Sequence, residues 1–90
     1  MRISIVIPCY NEQDTLPHLS VKVKALDGML VNEHTLDWVF VDDGSKDFTF
    51  SILQTLFGDM TNVQILRHEK NLGFGQALRT GLGGTNGDLI

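Results

Sequence analysis

The chain has 90 residues, 42% of them hydrophobic and 20% charged, with a formal net charge of −4; that is the composition of one small globular domain and excludes a disordered segment. Its seven Lys and Arg are spread along the sequence with no basic run, which gives no reason to propose nucleic acid or an anionic membrane as partner. Cys9 is the only cysteine, so an intrachain disulfide is excluded, and no stretch approaches the roughly 18 apolar residues of a membrane span.

Residues 3–7 (I-S-I-V-I) form an apolar run interrupted only by Ser4 and read as a first, central parallel strand, ended by Pro8, which cannot donate to a ladder. Residues 9–12 make the first strand-to-helix loop. Asp14 is the expected N-cap of a helix whose apolar face is Leu16, Leu19, Val23, Leu26 and Leu30, with Pro17 in the first turn. Residues 32–37 are polar and read as a loop. Residues 38–41 (W-V-F-V) are β-branched or aromatic and suit a strand buried on both faces. That strand stops on Asp42, Asp43, Gly44 and Ser45. Asp47 or Thr49 caps the next helix, with Phe48, Ile52, Leu53 and Leu56 as its apolar positions and Gly58 and Asp59 at its end. Residues 63–66 are a third strand and residues 67–74 a loop. Residues 76–82 are a short helix with Ala77, Leu78 and Leu82 on its apolar side, its end made ragged by Gly81, Gly83 and Gly84. Residues 88–90 begin a fourth strand.

The order β-α-β-α-β-α-β implies an α/β fold with a Rossmann-like parallel sheet, alternating helices and right-handed crossovers. The loops at residues 8–12, 42–47 and 67–74 then share one sheet edge, beyond the carboxyl ends of the strands, where ligands bind in open α/β sheets. In the first loop Tyr10 can stack on a nucleobase and Glu12 can accept from ribose hydroxyls or base N–H groups; alternatively Tyr10 packs on neighbours and Asn11 only makes the turn. In the second, Asp42 and Asp43 read as acceptors for a base or ribose, as a metal site bridging to phosphate, or as a solvated turn. In the third, Gly73 and Gly75 lack the third glycine of a dinucleotide motif, because Leu78 stands there. His18, His34 and His68 have no i, i+4 pairing and no cysteine partner, which argues against zinc. His68, beside Glu69 and Lys70, reads as a surface residue. Cys9 reads as a small buried residue, not a nucleophile.

Three segments together resemble family 2 glycosyltransferases, the inverting enzymes that include dolichol-phosphate mannosyltransferase and bacterial polyprenyl-phosphate sugar transferases. They are residues 3–15 (I-S-I-V-I-P-C-Y-N-E-Q-D-T), 39–49 (V-F-V-D-D-G-S-K-D-F-T) and 67–81 (R-H-E-K-N-L-G-F-G-Q-A-L-R-T-G). The resemblance spans essentially the whole chain and implies the amino-terminal part of a GT-A nucleotide-diphospho-sugar transferase fold. It implies that Pro8, Tyr10 and Glu12 line the base and ribose of the donor, and that Asp42 reads the base. Asp43, Gly44 and Ser45 would form the turn behind it, and Asn71, Gly73 and Arg79 would close over the donor. The wording L-R-T-G looks closest to the polyprenyl-phosphate branch. The implied partners are a UDP- or GDP-linked sugar and an acceptor such as a lipid phosphate or glycan. The implied location is the cytoplasm or the cytoplasmic face of a membrane.

The same resemblance implies a divalent cation, Mg²⁺ or Mn²⁺, held by a D-x-D motif at the end of the fourth strand. That motif is expected beyond residue 90, with the acceptor half and the catalytic base. Residues 1–90 are therefore expected to be a partial domain with half a donor site, inactive alone, from an enzyme active at full length. Two rivals use the same residues. A phospho-receiver domain also carries adjacent acids, but after its first strand, with a phosphorylated Asp ending the third; here the pair follows the second strand and the third ends on Leu66-Arg67. The other rival is a non-catalytic module that binds a nucleotide or a partner protein.

Overall fold

The computed structural model describes residues 2–83 and the backbone of residues 88–89. Four strands, β1 (Arg2–Cys9), β2 (Thr35–Asp42), β3 (Val63–Arg67) and β4 (Asp88–Leu89), alternate with α1 (Leu16–Leu30), α2 (Thr49–Phe57) and α3 (Phe74–Gly83). All pairings are parallel, in the order β3-β2-β1-β4. The chain steps outward from β1 to β3, then crosses back to the far side of β1. Right-handed crossovers therefore put α1 and α2 on one face and α3 on the other.

Period-two alternation divides the strand side chains between these faces. Trp38 and Phe40 join Cys9, Leu16, Val23, Leu36, Leu53 and Phe57 in the core under α1 and α2, with the rings of Phe40 and Phe57 stacked 4.4 Å apart. Val39 and Val41 pack with Ala77 of α3, against Val6 and Leu66. β2 is thus buried on both faces, as its unbroken apolar run requires.

Several boundaries differ from those read in the sequence. β1 continues through Pro8, which pairs with Val41, to Cys9, which pairs with Asp42; a residue without an N–H is tolerated this close to a strand end. β2 begins at Thr35, inside the expected loop, because Leu36 is needed in the core. Thr15, not Asp14, is the N-cap of α1, and its hydroxyl turns back to the Glu12 carbonyl and carboxylate, at 3.1 Å each. Phe48 is the N-cap of α2 and 72% exposed, outside the apolar face to which it was assigned. Leu26 and Leu82 are also exposed. α3 starts at Phe74 and runs through Gly81, which is buried within it. Ile90 and Gly84 lie outside the described residues.

Candidate functional site

The three strand-to-helix loops interlock at the carboxyl edge of the sheet. Asn11 has a left-handed backbone (φ 50°), which turns the chain sharply after β1. Its N–H donates to the Ser45 hydroxyl at 2.9 Å, and its side-chain oxygen accepts the Lys46 amide at 2.9 Å. The Glu12 amide donates to Thr49 Oγ1 at 2.8 Å, and the Phe48 amide to Gln13 Oε1 at 3.0 Å. Asp47, expected as a cap of α2, stands one residue before its N-cap Phe48, and its Oδ1 accepts the Thr49 amide at 2.9 Å. The first loop is therefore held to the second by reciprocal bonds that leave Tyr10 and the Glu12 carboxylate on the outside.

The two adjacent acids have opposite fates, set by strand alternation. Asp42 continues the parity of Trp38 and Phe40 toward α2. Its side chain is fully buried: Oδ1 accepts the Ser45 amide at 3.1 Å, and Oδ2 has no hydrogen bond but lies 3.6 Å from Arg67 Nε. The Arg67 guanidinium also sits over the Phe50 ring, 4.6 Å from its centre. Asp43 continues the parity of Val39 and Val41 toward α3. Its Oδ1 accepts from the Leu72 amide at 2.9 Å and meets His68 Nδ1 at 2.7 Å; its Oδ2 accepts the Gly73 amide at 3.0 Å. Burial pushes the Asp43 carboxyl up, but the hydrogen bonds from His68, Leu72 and Gly73, together with charge on His68, outweigh burial and hold it below the usual carboxylate range. Asp43 thus holds the third loop to the second.

A cavity of about 400 Å³ opens between the first and third loops, lined by Pro8, Cys9, Tyr10, Glu12, Asp43, Asn71, Gly73 and Phe74. It lies beyond the end of β1, where strand order reverses between β2 and β4, the position at which doubly wound sheets bind ligands. Six of the ten residues expected at a donor site are therefore brought together: Pro8, Tyr10, Glu12, Asp43, Asn71 and Gly73. Asp42, to which base reading was assigned, is enclosed on the other face and does not line the cavity; alternation along β2 is the reason. Gly44 (φ 73°) and Ser45 do not line the cavity and are in loop-to-loop contact. Arg79 is exposed on α3, outside the lining.

Two lining residues were not counted as site residues. Phe74, at the rim, is largely exposed. The Cys9 thiol is pushed up to about 12 by burial, then by the negative charges of Glu12 and Asp42. It remains protonated and non-nucleophilic at neutral pH, as its reading as a buried residue required. His68, read as a surface residue, is overturned: its side chain is only 9% exposed and both ring nitrogens have partners. Neither Glu69 nor Lys70, the neighbours behind that reading, shares its burial.

At the amino ends of the strands, one polar cluster is engaged in holding elements together, while the buried Ser4 Oγ and His34 Nδ1 have no hydrogen-bond partner. Asp27 Oδ1 accepts both the Trp38 indole N–H and the Asn62 side-chain Nδ2–H at 2.9 Å, an arrangement that holds α1 to the sheet. Among the described residues no group of three or more His, Cys, Asp or Glu side chains could hold a metal ion. The residues described here therefore do not fit a metal site. No helix among them is long and apolar enough to cross a membrane.

The profile of Glycosyl transferase family 2 matches residues 4–90. The chain belongs to this family. Relatives with which it aligns include a bactoprenol glucosyl transferase of Shigella phage SfX, 34% identical over all of this chain and 29% of that protein. An undecaprenyl-phosphate 4-deoxy-4-formamido-L-arabinose transferase of Photorhabdus laumondii is 36% identical over 99% of this chain and 27% of that protein. The chain thus spans under a third of the length of these family members. The crystal structure of S. aureus TarS 1-349 superposes over 100% of this chain and 27% of that one, with a TM-score of 0.74 and 22% identity. The α/β fold is that of the amino-terminal part of a GT-A glycosyltransferase, as the resemblance implied.

Proposed function

We propose that the cavity between the first and third loops is the nucleotide half of a donor site. The protein carrying it transfers a sugar, with inversion, from a UDP- or GDP-linked donor to a polyprenyl phosphate. The observation that carries this reading is the convergence of Tyr10, Glu12 and Asp43 on one cavity at the topological switch point, in a chain of this family. Each group has chemistry suited to one part of a nucleoside. The Tyr10 ring, 40% exposed, offers a face for base stacking, worth about 1–3 kcal/mol per base. Glu12 is exposed and accepts from ribose hydroxyls. Asp43, instead of Asp42, accepts an N–H of the base, and Asn71 and Gly73 cover the nucleotide from the third loop.

In the reaction, an acceptor phosphate oxygen attacks the anomeric carbon as its bond to the diphosphate breaks, and the nucleoside diphosphate leaves. This chain's own residues bind and orient the nucleoside; the acceptor's site and any divalent cation belong to residues other than these. The names of the aligned relatives, a bactoprenol transferase and an undecaprenyl-phosphate transferase, support a lipid phosphate as acceptor. A polyprenyl acceptor puts the enzyme at a membrane, and a nucleotide-sugar donor puts its active site on the cytoplasmic face.

The test is transfer of radiolabelled sugar from UDP-glucose, and from a panel of other UDP- and GDP-sugars, to undecaprenyl phosphate by the full-length protein with Mg²⁺ or Mn²⁺. Label that enters the lipid fraction and is released by mild acid supports the reading. Tight binding of UDP or GDP with no transfer to any lipid or glycan acceptor would favour the non-catalytic nucleotide-binding module instead.

A further inference from the structure

Behind the cavity wall, a chain of three side chains runs from Asp43 through His68 to α3. His68 Nδ1 lies 2.7 Å from Asp43 Oδ1, and His68 Nε2 lies 2.7 Å from Thr80 Oγ1. The backbone that carries the imidazole is also fixed, because the His68 N–H donates to the Asp42 carbonyl at 2.9 Å. The ring is therefore anchored at its backbone and at both nitrogens.

Which nitrogen carries the proton follows from the partners. Asp43 Oδ1 already accepts the Leu72 amide, and a carboxylate held below its usual range only accepts. Nδ1 must then be protonated. Thr80 adapts: its hydroxyl donates to Nε2 of a neutral ring and accepts from Nε2–H of a charged one. The count of acceptor positions on Asp43 follows in turn. Oδ1 receives two donors, His68 and Leu72; Oδ2 receives one, Gly73, and keeps a lone pair. A ligand in the cavity is thus offered a single acceptor, on Oδ2.

We propose that His68 is a positioning residue of the donor site, which saturates Oδ1 of Asp43, aims the remaining Oδ2 lone pair at one N–H of the nucleobase, and takes its own orientation from Thr80. The proposal rests on the donor-site reading above and adds residues that do not line the cavity. It also assigns a consequence: the site selects a ligand edge that presents a hydrogen-bond donor at this point.

The test compares His68→Asn, His68→Gln and His68→Ala in the full-length protein, by calorimetric titration with UDP and with GDP. An asparagine amide NH₂ takes the place of Nδ1–H; a glutamine NH₂ reaches the place of Nε2 and leaves Oδ1 unmatched. Positioning through Asp43 requires His68→Asn to bind nucleotide within about threefold of wild type, and His68→Gln and His68→Ala to bind about tenfold more weakly or worse. A role in filling space reverses that order, because glutamine is the closer match in volume; equal losses in all three, or none, overturn the proposal. The Asn and Gln variants suffice if His68→Ala fails to fold. Selective ¹⁵N-histidine labelling supplies an independent readout. The His68 ring should carry its proton on Nδ1, with a shift that changes in Asp43→Ala; an Nε2–H tautomer overturns the assignment. Wild type that binds neither nucleotide refutes the donor-site reading, whereas wild type that binds while the His68 variants are unaffected refutes only the positioning role.

Discussion

Gly44 lies directly beneath the backbone of Asn71: a Cβ on Gly44 would stand 2.4 Å from the Asn71 nitrogen and 2.2 Å from the Lys70 carbonyl carbon. The glycine is required twice over, by this contact and by its left-handed backbone at φ 73°. Because Asn71 lines the cavity, the turn after β2 and the wall of the site are one packed unit. Gly44→Ala should cost about 2 kcal/mol or more in stability, since backbone cannot yield as a flexible side chain does. Denaturant unfolding measures the loss, and nucleotide affinity should fall with it. A variant of unchanged stability would mean that the two loops are not in this contact.

A second glycine serves packing within a helix. A Cβ on Gly81 would stand 2.2 Å from Val6 Cγ1 and 3.3 Å from Val41 Cγ2, so any side chain there would have to displace Val6. Gly81→Ala should destabilise by about 1–2 kcal/mol, an overpacking cost of about 1–3 kcal/mol reduced by the better helix propensity of alanine. Val6→Ala should relieve part of it. A double-mutant cycle in denaturant checks the coupling; simple additivity would contradict the contact.

Acid should release the third loop through Asp43. Its folded pKa lies below the ordinary value of 3.8, so the stabilisation is fully present above that value. As pH falls through the depressed folded value, the carboxylate is protonated and the contribution is lost. Hydrogen exchange of the Leu72 and Gly73 amides should therefore stay protected through pH 4 and accelerate, relative to its intrinsic acid dependence, only below it. Release near pH 6 would mean that a group other than Asp43 holds the loop.

Cys9 lines the cavity, yet its thiol is buried and pushed up to about 12. Cys9→Ala should leave transfer within about threefold of wild type, as expected for a protonated thiol with no chemical role. A loss of a hundredfold in kcat without a loss of stability would contradict that reading.

The fold was legible because its signals are local and agree with one another. The run at residues 38–41 and the leucine spacing of α1 each specify one element, and their alternation specifies a parallel sheet. Boundaries were less legible where tertiary burial overrode local character. Leu36 draws a polar-looking segment into β2, and Phe48 looks apolar but caps a helix at the surface. The loops that line the cavity were legible, but two adjacent acids cannot be told apart by composition. Alternation from Val39 and Val41 would have identified Asp43 as the acid on the α3 face, once that face was known to carry the cavity. His68 was not legible, because its partners stand 25 and 12 residues away and its neighbours in sequence are charged.

The most direct test of the donor-site account is calorimetric titration of the full-length protein with UDP and GDP, with and without Mn²⁺, for wild type, Asp43→Ala and Asp42→Asn. The account requires wild type to prefer one nucleotide and Asp43→Ala to bind it about tenfold more weakly or worse. Folded Asp42→Asn should bind it within a few-fold of wild type, because the Asp42 side chain does not reach the cavity. Unchanged affinity in Asp43→Ala, or a loss confined to Asp42→Asn in a folded protein, would contradict it.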